Sequence, residues 1–366
     1  MSTQLHVHGV VLPDGIERDL FVTDEGTFTF DGAGLDPVTV MDRGYLIPGL
    51  VDVHAHLPMA SPAGDEEPMP QRVAASARAQ VEAGVLCVRE PGGARESSAL
   101  KVEDGFPRVL SAGRWLAAPG RFIEGYATEV LDEALPEAAL IELASGGGWV
   151  KVIGDWRPEG DEVASPSYRA DTLAATVRAV HDSGGRVAIH ATVREVVQAA
   201  IAAGCDSIEH GRRMETEESA AMAKAGIAYV PTLSAIAFPQ PPEFEQRPED
   251  VRREILAEVE RHPRRVREAW EAGVLILAGS DVAVPHGEIR QEVRQLLDAG
   301  LPPDAALGAA SWAARSFLGL PLIEEGAPAD LVAFPRNPLE DPSVLGEPEL
   351  IVLDGNVLRS RETARG

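Results

Sequence analysis

The chain carries 366 residues, 45% hydrophobic and 25% charged, with 58 acidic against 33 basic side chains and a formal charge of −25. A chain of this size buries a substantial core without disulfide staples, and so negative a field argues against nucleic acid and anionic membrane surfaces as partners. No apolar run approaches the ~18 residues of a membrane span, and the N-terminal MSTQLHVHGVVLPDG lacks the cationic start and apolar stretch of a signal peptide, which makes the cytoplasm the expected compartment.

Residues 1 to about 45 alternate in short apolar runs broken by PDG, DEG and DGAG, the pattern of small antiparallel strands. From there to residue 279 one order repeats: a short β-branched run, a loop marked by Gly or Pro, then an amphipathic helix pattern. Eight runs stand out: 49–54 (GLVDVH), 85–89 (VLCVR), 108–113 (RVLSAG), 149–153 (WVKVI), 186–190 (RVAIH), 206–210 (DSIEH), 227–231 (IAYVP) and 274–279 (VLILAG). In the helices between them Leu173, Val177 and Val180 share one face, as do Val197 and Ile201, and each of these patterns ends at a glycine suited to a C-cap. A helical stretch at 302–319 then leads to ADLVAF and ELIVLDGNVL, short strand patterns like those at the start.

Strands alternating with helices predict an α/β chain, and eight units over roughly 250 residues fit a (β/α)8 TIM barrel spanning 48–325. The two ends, 1–47 and 326–366, are expected to pair into one composite β-sandwich domain. An open doubly wound sheet lacks its signatures: no G-x-G-x-x-G follows the first run, no phosphate-binding G-x-x-x-x-G-K-[ST] occurs, and GGG at 146–148 reads as a helix-to-strand turn. Cys87 and Cys205 lie in apolar runs and read as buried thiols.

In such a barrel the side chains at the C-terminal ends of the strands converge on one mouth. His54 and His56 leave the first run at i and i+2, on one side of an extended chain. Lys151 interrupts the apolar WVKVI, His190 and His210 end the fifth and sixth runs, and Asp281 follows the eighth. Each has a plain alternative: a lone strand-end histidine is ordinarily a hydrogen-bonded core or surface residue, and Asp281 could cap the following helix. Lys151 is harder to dismiss, because an ammonium in a buried strand must be paired, neutralised or modified. Together, four imidazoles, a carboxylate and the lysine position could hold two divalent metal ions.

PGLVDVHAH, WVKVI, RVAIHA, SIEHG and AGSD, in this order, resemble the amidohydrolase superfamily, and HATVREVVQAAIAAGCDSIEHG is similar to its imidazolonepropionase and Xaa-Pro dipeptidase-like branch. The resemblance implies that His54, His56 and Asp281 hold one metal, that His190 and His210 hold the second, with zinc the expected metal, and that Lys151 bridges both as an N-carboxylated lysine. Carboxylation would turn a buried cation into an anionic oxygen ligand. Imidazolonepropionase works with one metal and has no such lysine, so Lys151 favours the binuclear peptidase-like relatives. The implied reaction is hydrolysis of a C–N bond in a dipeptide, N-acyl amino acid or cyclic amide by a metal-bridging hydroxide, with Asp281 accepting the proton. The same centre would also suit a lactonase or phosphotriesterase, and less well a deaminase. A non-catalytic scaffold would have lost ligands, whereas all six positions carry competent residue types. Neither G-x-S-x-G nor H-E-x-x-H, the marks of two other hydrolase classes, occurs.

Substrate choice falls to the loops after the strands. Trp156, Arg157, Arg212, Tyr229 and His286 are the candidates for touching a small-molecule substrate, with Arg89, Thr232 and, in the 116–135 segment, Arg121, Phe122 and Tyr126 as further walls. Arginines at such a mouth would suit a carboxylate. The loop PMASPAGDEEPMP, with Asp65, Glu66 and Glu67, reads as solvated rather than as an acidic lid. His6, His8, His181 and His262, in polar surroundings, read as solvated too, and a homo-oligomer stays open.

Overall fold

In the computed structural model, which describes residues 4–123, 125–157, 163–236 and 242–360, the alternating N-terminal run forms the strand Leu5–Val11 and buries every second residue. It pairs antiparallel with Ile16–Val22, from Leu5↔Val22 to Val11↔Ile16. Phe28–Thr29, Val38–Met41 and Tyr45–Pro48 join the same sheet, and so do Leu331–Phe334, Leu350–Leu353 and Asn356–Ser360 from the other end of the chain. The two ends thus meet around a core of their own that includes Val7, Leu20, Phe28, Leu46, Leu331 and Val352. Residues 1–3 and 361–366, assigned by the sequence to this unit, lie outside the described residues.

The pairing departs from the expected antiparallel pattern at one strand. Leu5–Val11 runs parallel to both Val38–Met41 and Tyr45–Pro48. Alternation looks the same in either direction; what sets the direction is the return of the chain through residues 23–37, which brings Val38 in beside Leu5.

Seven of the eight central runs contain strands: Leu50–Asp52, Val85–Glu90, Arg108–Ser111, Trp149–Ile153, Arg186–Ala191, Ser207–His210 and Ala228–Val230. Val85–Glu90 and Trp149–Ile153 have no exposed residue, which is why they read as largely apolar runs in which Arg89, Glu90 and Lys151 stand out. All the pairings among these strands are parallel, in two ladders: Leu50–Asp52 to Arg108–Ser111, and Trp115–Ala117 through Trp149–Ile153 to Ala228–Val230. The eighth run is held by single bridges. Leu277 N–H donates to the Tyr229 carbonyl at 2.9 Å, Val53 N–H to Ala278 at 3.0 Å, and Asp281 N–H to His54 at 2.6 Å, so this segment touches both the last strand and the first.

Helices cover these strands, giving a mixed α/β fold. Ala170–Asp182 buries Leu173, Val177 and Val180, as its spacing requires, and Arg194–Ala203 closes on Gly204 at φ 74°, a left-handed C-cap. The helix expected at 302–319 is broken into Pro303–Gly308 and Trp312–Leu318. The break has a cause: the Ala309 and Ala310 carbonyls leave the helical ladder to accept from Ala278 N–H (2.9 Å) and Val51 N–H (2.8 Å), and Ser311 Oγ donates to the Pro48 carbonyl.

Candidate metal centre

The first run and the eighth are stitched together beneath the site. Buried Asp52 accepts from His54 N–H and Ser280 N–H, both at 3.1 Å, and from the Ser280 hydroxyl at 2.5 Å. Gly279 makes the contact possible, since a Cβ there would lie 2.4 Å from the Cβ of His54. The stitching sets Asp281 across from the two histidines that leave the first strand.

His54 Nδ1–H donates to Glu209 at 2.6 Å and His56 Nδ1–H to the Gly92 carbonyl at 2.7 Å. Each ring therefore turns a bare Nε2 lone pair outward, and the two Nε2 atoms face one another at 3.2 Å. Asp281 Oδ1 lies 3.4 Å from His56 Nε2 and 3.8 Å from His54 Nε2, and Oδ2 lies 4.0 Å from His210 Nδ1. The His210 ring stands 5.1 Å from that of His54 and 4.5 Å from that of His190. One ligand atom each from His54, His210 and Asp281 fall within 4.8 Å of one another, a separation that a cation can bridge. Lys151 is 1% exposed, and among the described residues its amine finds no hydrogen-bond partner.

The electrostatics favour ligand-competent forms. Burial, with the Lys151 charge second, lowers the His54 imidazole to about 4, and His190 and His210 are held well below the ordinary value, burial again leading. Neutral imidazole is the form that binds metal. Burial lowers Lys151 to about 8. Burial pushes Asp281 up, but the imidazoles of His54 and His56 outweigh it and hold the carboxyl well below the usual carboxylate range.

Behind these groups stands a layer of which the sequence singled out only Arg89 and Thr232, and those as walls for a substrate. Glu209, which orients His54, is buried and accepts from Arg89 at 3.0 and 3.1 Å and from Ser207 Oγ at 2.6 Å. Trp115 packs edge-on against His56, and Asp155 lies 3.7 Å from His190 Nε2 while accepting from Thr192 and Val193. His210 bonds Thr232 Oγ1 at 2.8 Å. His210, Thr232 and Asp281 hold left-handed backbone at φ 70°, 47° and 56°, a conformation that non-glycine residues rarely adopt and one that gathers at functional sites.

The amidohydrolase family model matches residues 45–358. The chain belongs to the amidohydrolase family. It is 36% identical over 360 residues to an uncharacterized protein of Mycobacterium tuberculosis, covering 97% of this chain and 95% of that one. It is 28% identical over 247 residues to the ochratoxinase of Aspergillus niger, covering 65% of this chain and 50% of that one. Among solved structures, a Xaa-Pro dipeptidase with methionine bound in its active site superposes with a TM-score of 0.77 at 25% identity, covering 98% of this chain and all of the other at 100%. Members of the family are hydrolases acting on carbon–nitrogen bonds.

Of the residues expected to meet substrate in this amidohydrolase, Trp156, Arg157 and Arg212 line a cavity that reaches His190. Tyr229 does not: it is wholly buried, and its hydroxyl donates to the His210 carbonyl at 2.9 Å, so it supports the turn that aims His210. His286 is also committed, with Nε2–H on the Met59 carbonyl at 2.8 Å and Nδ1 facing the Gln80 amide, and shapes its loop. Arg89 serves Glu209, not a substrate, and Arg121 donates to the backbone carbonyls of Ser165 and Pro166. Asp65, Glu66 and Glu67 are exposed, as a solvated loop requires. His262 corrects the expectation of a solvated side chain: it is 0% exposed, bonded to the Pro231 carbonyl, and burial lowers it to about 3. Both thiols are buried, as read from the sequence.

Glu90, at the end of its strand, holds the backbone just past His56 by accepting from Leu57 N–H, and also accepts from Ser97 and Ser111. Burial, against the pull of these donors, pushes its carboxyl up to about 8. The folded chain thus keeps a proton that the unfolded chain loses at an ordinary carboxyl value, so this group's contribution to stability falls as pH rises from about 4.5 through about 8. Glu90→Gln, which preserves the shape, is expected to match the parent near pH 5 and to exceed it at pH 9 in urea unfolding. Parallel pH profiles for the two proteins would refute a buried neutral acid.

Proposed function

We propose that this amidohydrolase is a two-metal enzyme that cleaves an amide C–N bond of a small molecule, with His54, His56 and Asp281 holding one divalent ion, His190 and His210 the other, and N-carboxylated Lys151 bridging them. What carries the reading is the pair of bare Nε2 atoms of His54 and His56, which repel one another at 3.2 Å unless a cation sits beside them. The buried, unpartnered Lys151 amine supports the second ion, because a carbamate there would turn an orphaned donor into an oxygen ligand. Imidazole and carboxylate donors suit zinc.

Cations bound there would supply an acidified water and a polarised carbonyl. The rest falls to the chain. Asp281, poised between His56 and His210 and held ionised, accepts a proton from the attacking water and returns it to the leaving nitrogen, yielding a carboxylic acid and an amine. Glu209 keeps the His54 Nδ1 proton in place, so that Nε2 stays free to bind.

We also read the eight runs as a closed (β/α)8 barrel over 48–325, supported by the bonds from residues 277–281 to both Tyr229 and the first strand, with a composite β-sandwich from 1–47 and 326–366. The test is turnover of a panel of dipeptides, N-acyl amino acids, lactams, lactones and phosphotriesters by zinc-loaded protein. Amides are expected to lead. Asp281→Asn is expected to lower kcat by about 10²- to 10⁴-fold. Turnover of esters or phosphotriesters alone, or an Asp281→Asn enzyme of full activity, would sink the reading.

A further inference from the structure

The polar surroundings of His6 and His8 predict solvated rings, yet their side chains are only 20% and 32% exposed. They alternate with Leu5 and Val7, which enter the core of the terminal sheet, so both rings lie on the opposite face of that sheet. Strand pairing supplies the neighbours. Antiparallel register sets Asp19 opposite His8 and Phe21 opposite His6, and the parallel partner sets Thr39 beside His6. His6 Nε2 lies 2.8 Å from Asp19 Oδ1, and His8 Nδ1 lies 2.9 Å from the same oxygen.

The outer nitrogen of each ring is held as well. His6 Nδ1 faces the Thr39 hydroxyl at 3.0 Å while the ring stacks on Phe21 with centroids 4.9 Å apart, and His8 Nε2 faces Glu17 Oε1 at 3.2 Å. A ring whose outer nitrogen is fixed by a hydroxyl or a carboxylate presents the inner one in a set direction, as metal-ligating histidines do. Among the described residues neither Asp19 nor Glu17 has a Lys or Arg partner, so no protein cation already fills the place. The point on which both inner nitrogens aim is the Asp19 oxygen. With an ion there and Asp19, 56% exposed, swung back to ligate it, each ring has to close by about 0.7–0.8 Å to reach the ~2.1 Å of a metal–imidazole bond.

We propose that His6, His8 and Asp19 form a divalent-cation site on the terminal sheet, separate from the candidate metal centre, with Thr39 and Glu17 orienting the two rings and water completing the shell. Two imidazoles and one carboxylate select a zinc-, nickel- or copper-class ion over magnesium or calcium, which take oxygen shells. The formal charge of −25 draws cations to the surface. Asp19 arrives only through strand pairing, so the ion binds the folded sheet and ties Leu5–Val11 to Ile16–Val22.

Equilibrium dialysis against zinc, with the metal counted per chain, tests this without turnover. The parent is expected to hold one ion more than the double variant His6→Gln with His8→Gln, whose buried histidines are unchanged. That difference is read whatever the buried centre holds, so the two-metal reading and this one fail separately. Added zinc is expected to raise the melting temperature of the parent more than that of the double variant. Thr39→Val, which keeps the shape, and Asp19→Asn are each expected to weaken the additional site about tenfold or more in competition with a chelator, a response that two merely exposed histidines would not give. His181→Gln, which removes the exposed ring paired with Asp206, is expected to change none of these readings. Equal zinc counts in the parent and the double variant, or an additional ion indifferent to both Thr39→Val and Asp19→Asn, would overturn the assignment.

Discussion

Lys151→Ala is expected to lower bound metal from about two ions per chain to one or none and to abolish turnover, with partial recovery of both in formate or acetate. The small acids would restore an oxygen anion where the carbamate stood. Metal analysis and activity with and without added acid check this, and full activity in the alanine variant would end the bridging role. A companion arm needs no metal. In the stripped protein the Lys151 amine is a buried donor without an acceptor among the described residues, so Lys151→Met, which keeps the volume, is expected to raise stability by about 1–3 kcal/mol. Lower stability of the methionine variant would mean that the amine has a partner in solution.

The second large effect lies one layer back. Arg89 and Glu209 form a wholly buried ion pair at 3.0 Å, and Glu209 in turn fixes the His54 ring. Burial pushes the Glu209 carboxyl up, but Arg89 and Lys151 outweigh it and hold it well below the usual range. Arg89→Met leaves that carboxylate uncompensated and is expected to cost about 3–5 kcal/mol in urea unfolding. Metal affinity, read by competition with a chelator, is expected to fall about 10- to 100-fold as His54 loses its fixed orientation. The double variant Arg89→Met with Glu209→Leu separates the two effects: stability should return, because no lone charge remains buried, while metal affinity should stay low. Recovery of both would show that Glu209 holds the fold and not the ligand.

The candidate ligands were legible because each sits at or just past the end of an apolar run: His190 and His210 in the strands Arg186–Ala191 and Ser207–His210, His54 and His56 just after Leu50–Asp52, and Asp281 after the eighth run, which only single bridges hold. Glu209 was not legible. In SIEH it occupies the place of an ordinary outward polar residue, and the groups that meet its buried side chain, Arg89 and His54, lie far away in the chain. His262 could have been found: it shares a face with Val266 and Ala269, at i+4 and i+7, and all three are buried in an otherwise polar helix. Tyr229 was misread because a strand-end position says nothing of which side a ring takes. The broken helix at 302–319 was hidden for a different reason, since the bonds that unwind it come from residues 51 and 278, far away in the chain. Strand direction in the terminal sheet was beyond any local pattern.

The left-handed backbone at His210, Thr232 and Asp281 has a bearing on any attempt to harden this scaffold. A β-branched threonine is the least comfortable of the three in that conformation. Laboratory evolution toward heat tolerance, run with no selection for turnover, should drift first to glycine or asparagine at these places, where either residue relaxes the chain. Melting temperature would climb as the chemistry disappeared, which makes these the codons to lock before a library is drawn.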